Sequence, residues 1–235
     1  ILASNVFAHS DDLKTMAECM IKMIKKNGTI IIEVQYLLNT LKDVTFDNIY
    51  HEHYNYWSLT SLVYFFKQLS AIIYKVEKIN THGGSIRVYV KKNLKTKVDK
   101  SVRSLLRDED NFGIKNFKTY QEFSKKVNKI RKNVRKNIML LKKNNKKIIG
   151  YGSPAKATTA LNFFGISKEI DCIIEDNKLK HGKFLPGMKI PITSRAYIKG
   201  KPDYAIILAW NFFEEIKKNN NDLAHKLINI KDLEI

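Results

Sequence analysis

Cysteine, acidic residues and long apolar runs are what this sequence is short of. Its 235 residues include two cysteines, Cys19 and Cys172, far apart and each inside an apolar pattern. That excludes a disulfide framework and the paired spacing of a structural zinc site. Both thiols are expected to be buried, and a reducing cytoplasm is the expected compartment. No run approaches the ~18 apolar residues that span a bilayer, so no membrane partner is expected. The opening, ILASNVFAHS, has neither a basic region nor a long apolar stretch, so it is not expected to be a secretory signal. It starts on apolar residues without a Met, as a chain opening in mid-domain would.

Acids number 23 against 42 Lys and Arg, a net charge of +19. Such a balance can mark a nucleic-acid binder. Here the lysines are spread along the chain, and the densest basic stretch, KKVNKIRKNVRKNIMLLKKNNKK, is also strongly periodic. Its charges read as the solvated face of a helix. No nucleic-acid partner is expected, and a small anionic substrate would suit the same field.

With 44% apolar residues the chain can bury one or two cores. Residues 1–92 alternate helix and strand. In SDDLKTMAECMIKMIKKNG, Ser10 is the expected N-cap and acids fill the first turn, while Leu13, Met16, Met20 and Ile24 form one face. TIIIEV is a buried strand, SLTSLVYFFKQLS a helix capped by Ser58, and AIIYKVEKI and SIRVYVKK are strands joined by the turn NTHGG. These late strands imply an antiparallel edge on a mostly parallel sheet. Residues 93–145 form a lysine-rich helical connector. Within it Phe117, Tyr120, Phe123, Val127, Ile130, Val134, Ile138 and Leu141 recur every three or four residues. That spacing predicts one helix of about seven turns. Residues 146–235 return to α/β alternation, with strands at KKIIGY, IDCIIED and DYAIILAW and a helix at NFFEEIKK.

Two stretches carry chemistry. Gly150-Tyr151-Gly152 follows a strand and precedes a helix, the setting in which backbone N–H groups meet a phosphate. Lys156 adds a charge, and Asp176 falls near the position of a ribose-binding acid. The third glycine of a dinucleotide fingerprint is replaced by Ala155, so phosphate binding and a merely tight turn both remain open. The second stretch is Tyr50-His51-Glu52-His53-Tyr54. Two histidines two apart could share a metal, with His9 and His82 completing a set, but His51-Glu52 does not open an H-E-x-x-H motif. Histidine titrates near neutrality and can take and return a proton, with a glutamate and tyrosines to tune it. Three adjacent ionisable residues argue against deep burial. Proton transfer, structure and metal all remain open on the residues alone, and no metal is assigned.

Six strings in order resemble one family: SNVFAH, IYHEHYNYWSL, HGGSIRVYV, GYGSPAKATTALN, GKFLPGMKIPI and DYAIILAWNFFEEI. Together they look like the sugar C-methyltransferases, S-adenosylmethionine-dependent enzymes that act on nucleotide-linked keto-deoxysugars. The resemblance implies an α/β fold in three parts. Residues 1–92 would be the C-terminal part of a truncated, Rossmann-like class I methyltransferase domain. Residues 93–145 would be a helical connector and 146–235 a C-terminal Rossmann-like α/β domain. A zinc-binding domain and the adenosylmethionine loop would lie upstream of Ile1, zinc being confined to that missing domain. The chain would then be a fragment that binds adenosylmethionine poorly.

The resemblance also implies a site. His53 becomes the general base, removing a proton from the carbon beside a keto group. Tyr50, Glu52 and His9 become its catalytic companions, and His51 stays structural. His82, Arg87, Gly150, Gly152 and Lys156 become substrate-binding candidates, with a nucleotide sugar as the partner. A non-catalytic sugar-nucleotide-binding module is the alternative. The crowding of Tyr50, Glu52 and His53 implies a loop, since neighbours in a strand face opposite ways.

Overall fold

Buried β-branched runs separated by amphipathic helices fold here into two α/β units. The computed structural model of the protein describes residues 1–197 and 201–230. Its two units are Ile1–Phe123 and Ser124–Ile235.

The first unit holds strands β1 (Leu2–Ser4), β2 (Ile30–Gln35), β3 (Ile72–Ile79) and β4 (Ser85–Lys91). Helices α1 (Leu13–Met23), α2 (Leu37–Lys42), α3 (Leu59–Gln68) and α4 (Lys100–Phe112) pack around them. The sheet order is β1-β2-β4-β3. Only β1 and β2 pair in parallel, whereas β2–β4 and β3–β4 are antiparallel. The expected mostly parallel sheet is therefore corrected among the described residues. The antiparallel edge expected of β3 and β4 is present, joined by the tight turn at Thr81–Gly84, and the departure is that β4 also pairs antiparallel with β2. Gly84 sits in that turn at φ +105°, a conformation few other residues adopt.

Local signals explain the helix ends. α3 begins at Ser58, whose hydroxyl accepts from the Ser61 N–H at 3.0 Å, and Ser61 returns the bond. α1 is capped by Asp12, which accepts from Thr15 N–H at 3.2 Å, and not by Ser10. Ser10 lies too far ahead of Leu13 to reach the first turn. The expected burial of Cys19 is also corrected. The thiol is exposed, on the side of α1 opposite Ala17, and Cys172 is half-buried.

The connector stretch begins with α4, which sends Val102, Leu105 and the carboxylate-bearing Glu109 into the first unit. Helix α5 (Phe117–Lys143) runs for 27 residues, the seven-turn helix expected. Tyr120 and Phe123 pack on the first core, and Val127, Val134 and Ile138 are buried further along.

The second unit carries β5 (Ile148–Tyr151), α6 (Ala155–Phe164), β6 (Ile173–Ile174), β7 (Ile192–Thr193), β8 (Tyr204–Ile207), α7 (Phe213–Asn219) and β9 (Leu227–Asn229). Its sheet has order β7-β6-β5-β8-β9 and every pairing is parallel. The continuous apolar runs of β5 and β8 are those of strands covered on both faces. From β5 the chain moves outward to β6 and β7. It then returns to β8 on the other flank of β5. Among the described residues no helix is long and apolar enough to cross a membrane.

Candidate active site

The first cluster is built by two loops at the carboxyl ends of β1 and β2. After β1 the chain buries Phe7 against Trp57 and Phe66, which fixes the loop that carries His9. The Ala8 carbonyl accepts from the Tyr54 N–H at 3.0 Å and the Asn55 N–H at 3.3 Å. Asn55 also donates its side-chain N–H to the Ser10 carbonyl at 3.2 Å. These bonds fasten the 50–57 segment to the β1 loop. Residues far apart in sequence therefore share one corner.

Within that corner the His9 and His53 rings lie edge to face, 5.0 Å between centroids. Tyr50 packs on His53 at 4.4 Å, and Tyr56 closes the other side at 6.1 Å. The segment is turn and coil, as the crowding of ionisable residues required. His53 and His9 are half-buried, so they keep access to a ligand. His51 points outward, its side chain 82% exposed, near the Glu52 carboxylate at 4.0 Å. Glu52 is itself exposed, and its contact with the cluster runs through Tyr50. Burial, and then the Glu52 charge and hydrogen bond, push the Tyr50 hydroxyl pKa up. Burial also raises that of Tyr56. Both stay protonated near neutrality and can donate.

The decisive partner of His53 was not legible in the sequence. Its Nδ1 lies 2.9 Å from the Asn48 carbonyl oxygen. A carbonyl can only accept, so Nδ1 carries the proton and Nε2 of the neutral ring holds the lone pair. Asn48 is buried and held in turn, donating to Thr45 Oγ1 at 3.1 Å and accepting from Gln35 Nε2 at 3.4 Å. Gln35 ends β2, so the sheet itself sets the tautomer of His53. The signal was a backbone oxygen, which no residue type announces.

The other candidates lie on other elements of the chain or outside the described residues. The His82 side chain lies outside them. Arg87 on β4 is engaged by its neighbours. It donates to Glu33 Oε2 through Nη2 at 2.9 Å and Nε at 3.3 Å, and lies 3.9 Å from Glu77. Glu33 also accepts from Thr81 Oγ1. Gly150 and Gly152 lie in the second unit. A Cβ on Gly150 would come within 2.9 Å of Leu208, and one on Gly152 within 2.9 Å of the Ala209 Cβ. Gly152 also takes φ +85°. Close packing of β5 against the end of β8 thus explains both glycines. The Lys156 ammonium rests 5.5 Å from the centre of the Trp210 ring, a cation–π contact. Among the described residues no group of three His, Cys, Asp or Glu side chains is placed to hold a metal ion.

The glycines of the first unit are Gly28, Gly83, Gly84 and Gly113. They lie between α1 and β2, between β3 and β4, and between α4 and α5. None forms the strand-to-helix turn that cradles a nucleotide cofactor.

Comparison with known proteins bears on the same chain. The model of the C-methyltransferase C-terminal domain matches residues 80–229. The C-methyltransferase NovU of Streptomyces niveus is 34% identical over 219 residues, which is 92% of this chain and 52% of that protein. The chain spans about half the length of this curated relative. A match over most of the chain, joined to an α/β fold with a parallel C-terminal sheet, shows that the chain belongs to the C-methyltransferase family and carries its C-terminal domain.

Proposed function

We propose that the first unit supplies the acid/base groups of a C-methyltransferase acting on a nucleotide-linked keto-deoxysugar. The observation that carries the reading is the His53 Nδ1 bond to the Asn48 carbonyl, with His9 and Tyr50 packed on the same ring. A carbon beside a keto group is weakly acidic. His53 Nε2 takes its proton, and the C–H electron pair passes into the enolate. The protonated Tyr50 hydroxyl donates to the developing oxyanion, and His9 lines the same corner. Burial, and then the Glu52 charge and hydrogen bond, keep the Tyr50 hydroxyl protonated, and its one proton turns from Glu52 to the oxyanion as charge develops there. When bound, S-adenosylmethionine supplies an electrophilic methyl group, and the enzyme restores His53 by releasing the proton to solvent.

Proton abstraction can be read without any methyl donor. The chain is mixed with a nucleotide-linked keto-deoxysugar in D2O, and NMR follows loss of the proton beside the keto group. Exchange above the buffer rate is expected for the parent chain. His53→Asn should reduce it by about two to four orders of magnitude, the usual contribution of a general base. Exchange at the parental rate in His53→Asn removes His53 as the base. A second reading, a sugar-nucleotide-binding module without turnover, is favoured by a cavity in the second unit. Saturable binding with no exchange in the parent chain would select it.

A further inference from the structure

The first unit has a cavity that the proton-transfer reading does not use. It lies between α3 and α4, both within Ile1–Phe123. Its volume is about 530 Å³. Ligand pockets run from roughly 300 to 1,000 Å³. The Glu109 carboxylate on α4 accepts from the Leu59 and Thr60 N–H groups that open α3. The late turns of α4 therefore lie against the first turn of α3. From α3 the cavity takes Thr60, Val63, Tyr64 and Lys67. Those positions share one helix face and span about 10 Å along its axis.

The lining is basic. Lys67, Arg107 and Lys115 stand against one acid, Asp110. Lys115 pairs with that acid at 3.3 Å. Among the described residues Lys67 and Arg107 have no ion-pair partner. Arg107 also follows Arg103 by one helical turn, a like-charge spacing that destabilises a helix. Helix electrostatics favour Lys67, in the last turn of α3, but give no reason for Arg107. Beside these cations Tyr64 is 67% exposed. A lone exposed aromatic is ordinary. Here the ring stands at a cavity wall, over the half-buried Val63 and Leu106.

These groups together select a ligand. Two free cations match the charge of a phosphate monoester, about −1.5 to −2 near neutrality. The guanidinium offers a planar fork that fits phosphate oxygens in pairs, and the ammonium a point charge. Tyr64, Val63 and Leu106 fit the face of an aromatic ring. A second copy of the chain is a poor occupant, since it carries 42 Lys and Arg against 23 acids. An extended segment of a partner would cross about 10 Å in only three residues. The dimensions match a small molecule better.

We propose that the α3–α4 cavity binds a small aromatic phosphate monoester, with the phosphate on Arg107 and Lys67 and the ring against Tyr64. The site shares no residue with the His53 corner, so failure of the exchange experiment leaves it standing. The test is calorimetric titration of the chain with phenyl phosphate, inorganic phosphate and phenol. Phenyl phosphate should bind saturably, with a dissociation constant at or below about 1 mM. Inorganic phosphate and phenol, each carrying one half of the ligand, should bind at least about tenfold more weakly. Arg107→Gln and Tyr64→Ala should each weaken phenyl phosphate by about tenfold, and Lys67→Gln by about threefold. All three residues are exposed, so the variants should fold. Lys129→Gln, on an exposed position of α5, should bind as the parent does. Inorganic phosphate binding as tightly as phenyl phosphate, an unaltered affinity in Arg107→Gln, an equal loss in Lys129→Gln, or no saturation up to about 10 mM would overturn the proposal. So would a phosphotyrosine peptide that binds more than about tenfold tighter than phenyl phosphate, since the occupant would then be a protein segment.

Discussion

Glu109 is the buried charge on which the first unit turns, and its removal makes a quantitative test. The residue is 0% exposed on α4. Its Oε1 accepts from the Leu59 N–H at 2.6 Å, and its Oε2 from the Thr60 N–H at 2.8 Å and hydroxyl at 2.5 Å. A carboxylate from one helix thus caps the first turn of another, directly after the loop that bears His53. Hydrogen bonds to a charged group contribute about 1.5–3 kcal/mol each, and a favourable partly buried helix-dipole contact up to about 2 kcal/mol. Against that stands the desolvation of the carboxylate, several kcal/mol, which the neutral variant no longer carries. Glu109→Gln keeps one acceptor oxygen and sets an NH2 group against a donor. The net loss is therefore expected near 3 kcal/mol, less than the sum of the bonds. Urea unfolding would read it through Trp57, two residues ahead of Leu59, in a Trp210→Phe background. At an m-value of about 1–3 kcal/mol/M the midpoint should fall by about 1–3 M. Asp108→Asn, on the exposed neighbour that pairs with Lys78, should shift stability by no more than about 0.5 kcal/mol. A Glu109→Gln chain as stable as that control would refute the capping argument.

Three further outcomes follow from the same reasoning. Burial pushes the Glu175 carboxyl up, but bonds from Ser153 and the Asn177 N–H and the Lys180 charge outweigh it and hold its pKa at about 2, below the usual 4.5. A lowered folded pKa stabilises above the unfolded value, so up to about 3 kcal/mol should be lost as pH falls from 4.5 through 2. Glu175→Gln should flatten that part of the second unit's stability profile in acid titrations monitored by Trp210. Arg87→Ala should lower the first unit's urea midpoint, because it removes the charged partner of Glu33, whose side chain is only 9% exposed. Arg87→Ala with parental stability but weakened sugar-nucleotide binding would instead make Arg87 a ligand contact. Asn48→Ala should slow the exchange about tenfold, because it removes the Gln35 and Thr45 contacts that hold the carbonyl bonded to His53 Nδ1, and a parental rate would show that this support is not needed.

How much was legible divides along the range of the interaction concerned. The α3 cap, the seven-turn helix and the buried strands β2, β5 and β8 were readable because each rests on local spacing. Ser10 failed as a cap because Asp12, two residues on, offers an equally good acceptor at the right distance. The sheet order of the first unit was missed because pairing of β2 with β4 is a long-range choice. β7 and β9 are two and three residues long, too short for a period to appear. At the candidate site the residue types His9, Tyr50 and His53 were visible, and their meeting follows from Ala8, whose carbonyl joins the loops. The bond that fixes the tautomer was not, because it ends on main chain.

Net charge was the least informative of the readings for the ligand, and the reason is geometric. The charge of +19 is carried in good part by exposed residues of α5 such as Lys125, Lys129, Arg131 and Lys136. At physiological ionic strength such charges are screened over about 8 Å. The crevice at the end of β5 is lined by Glu175, Asp176 and Glu215 against Lys180, so carboxylates prevail there. A basic chain can thus hold an acid-lined pocket without conflict. The global field raises the concentration of anions near the surface. The local lining decides which part of a ligand is admitted.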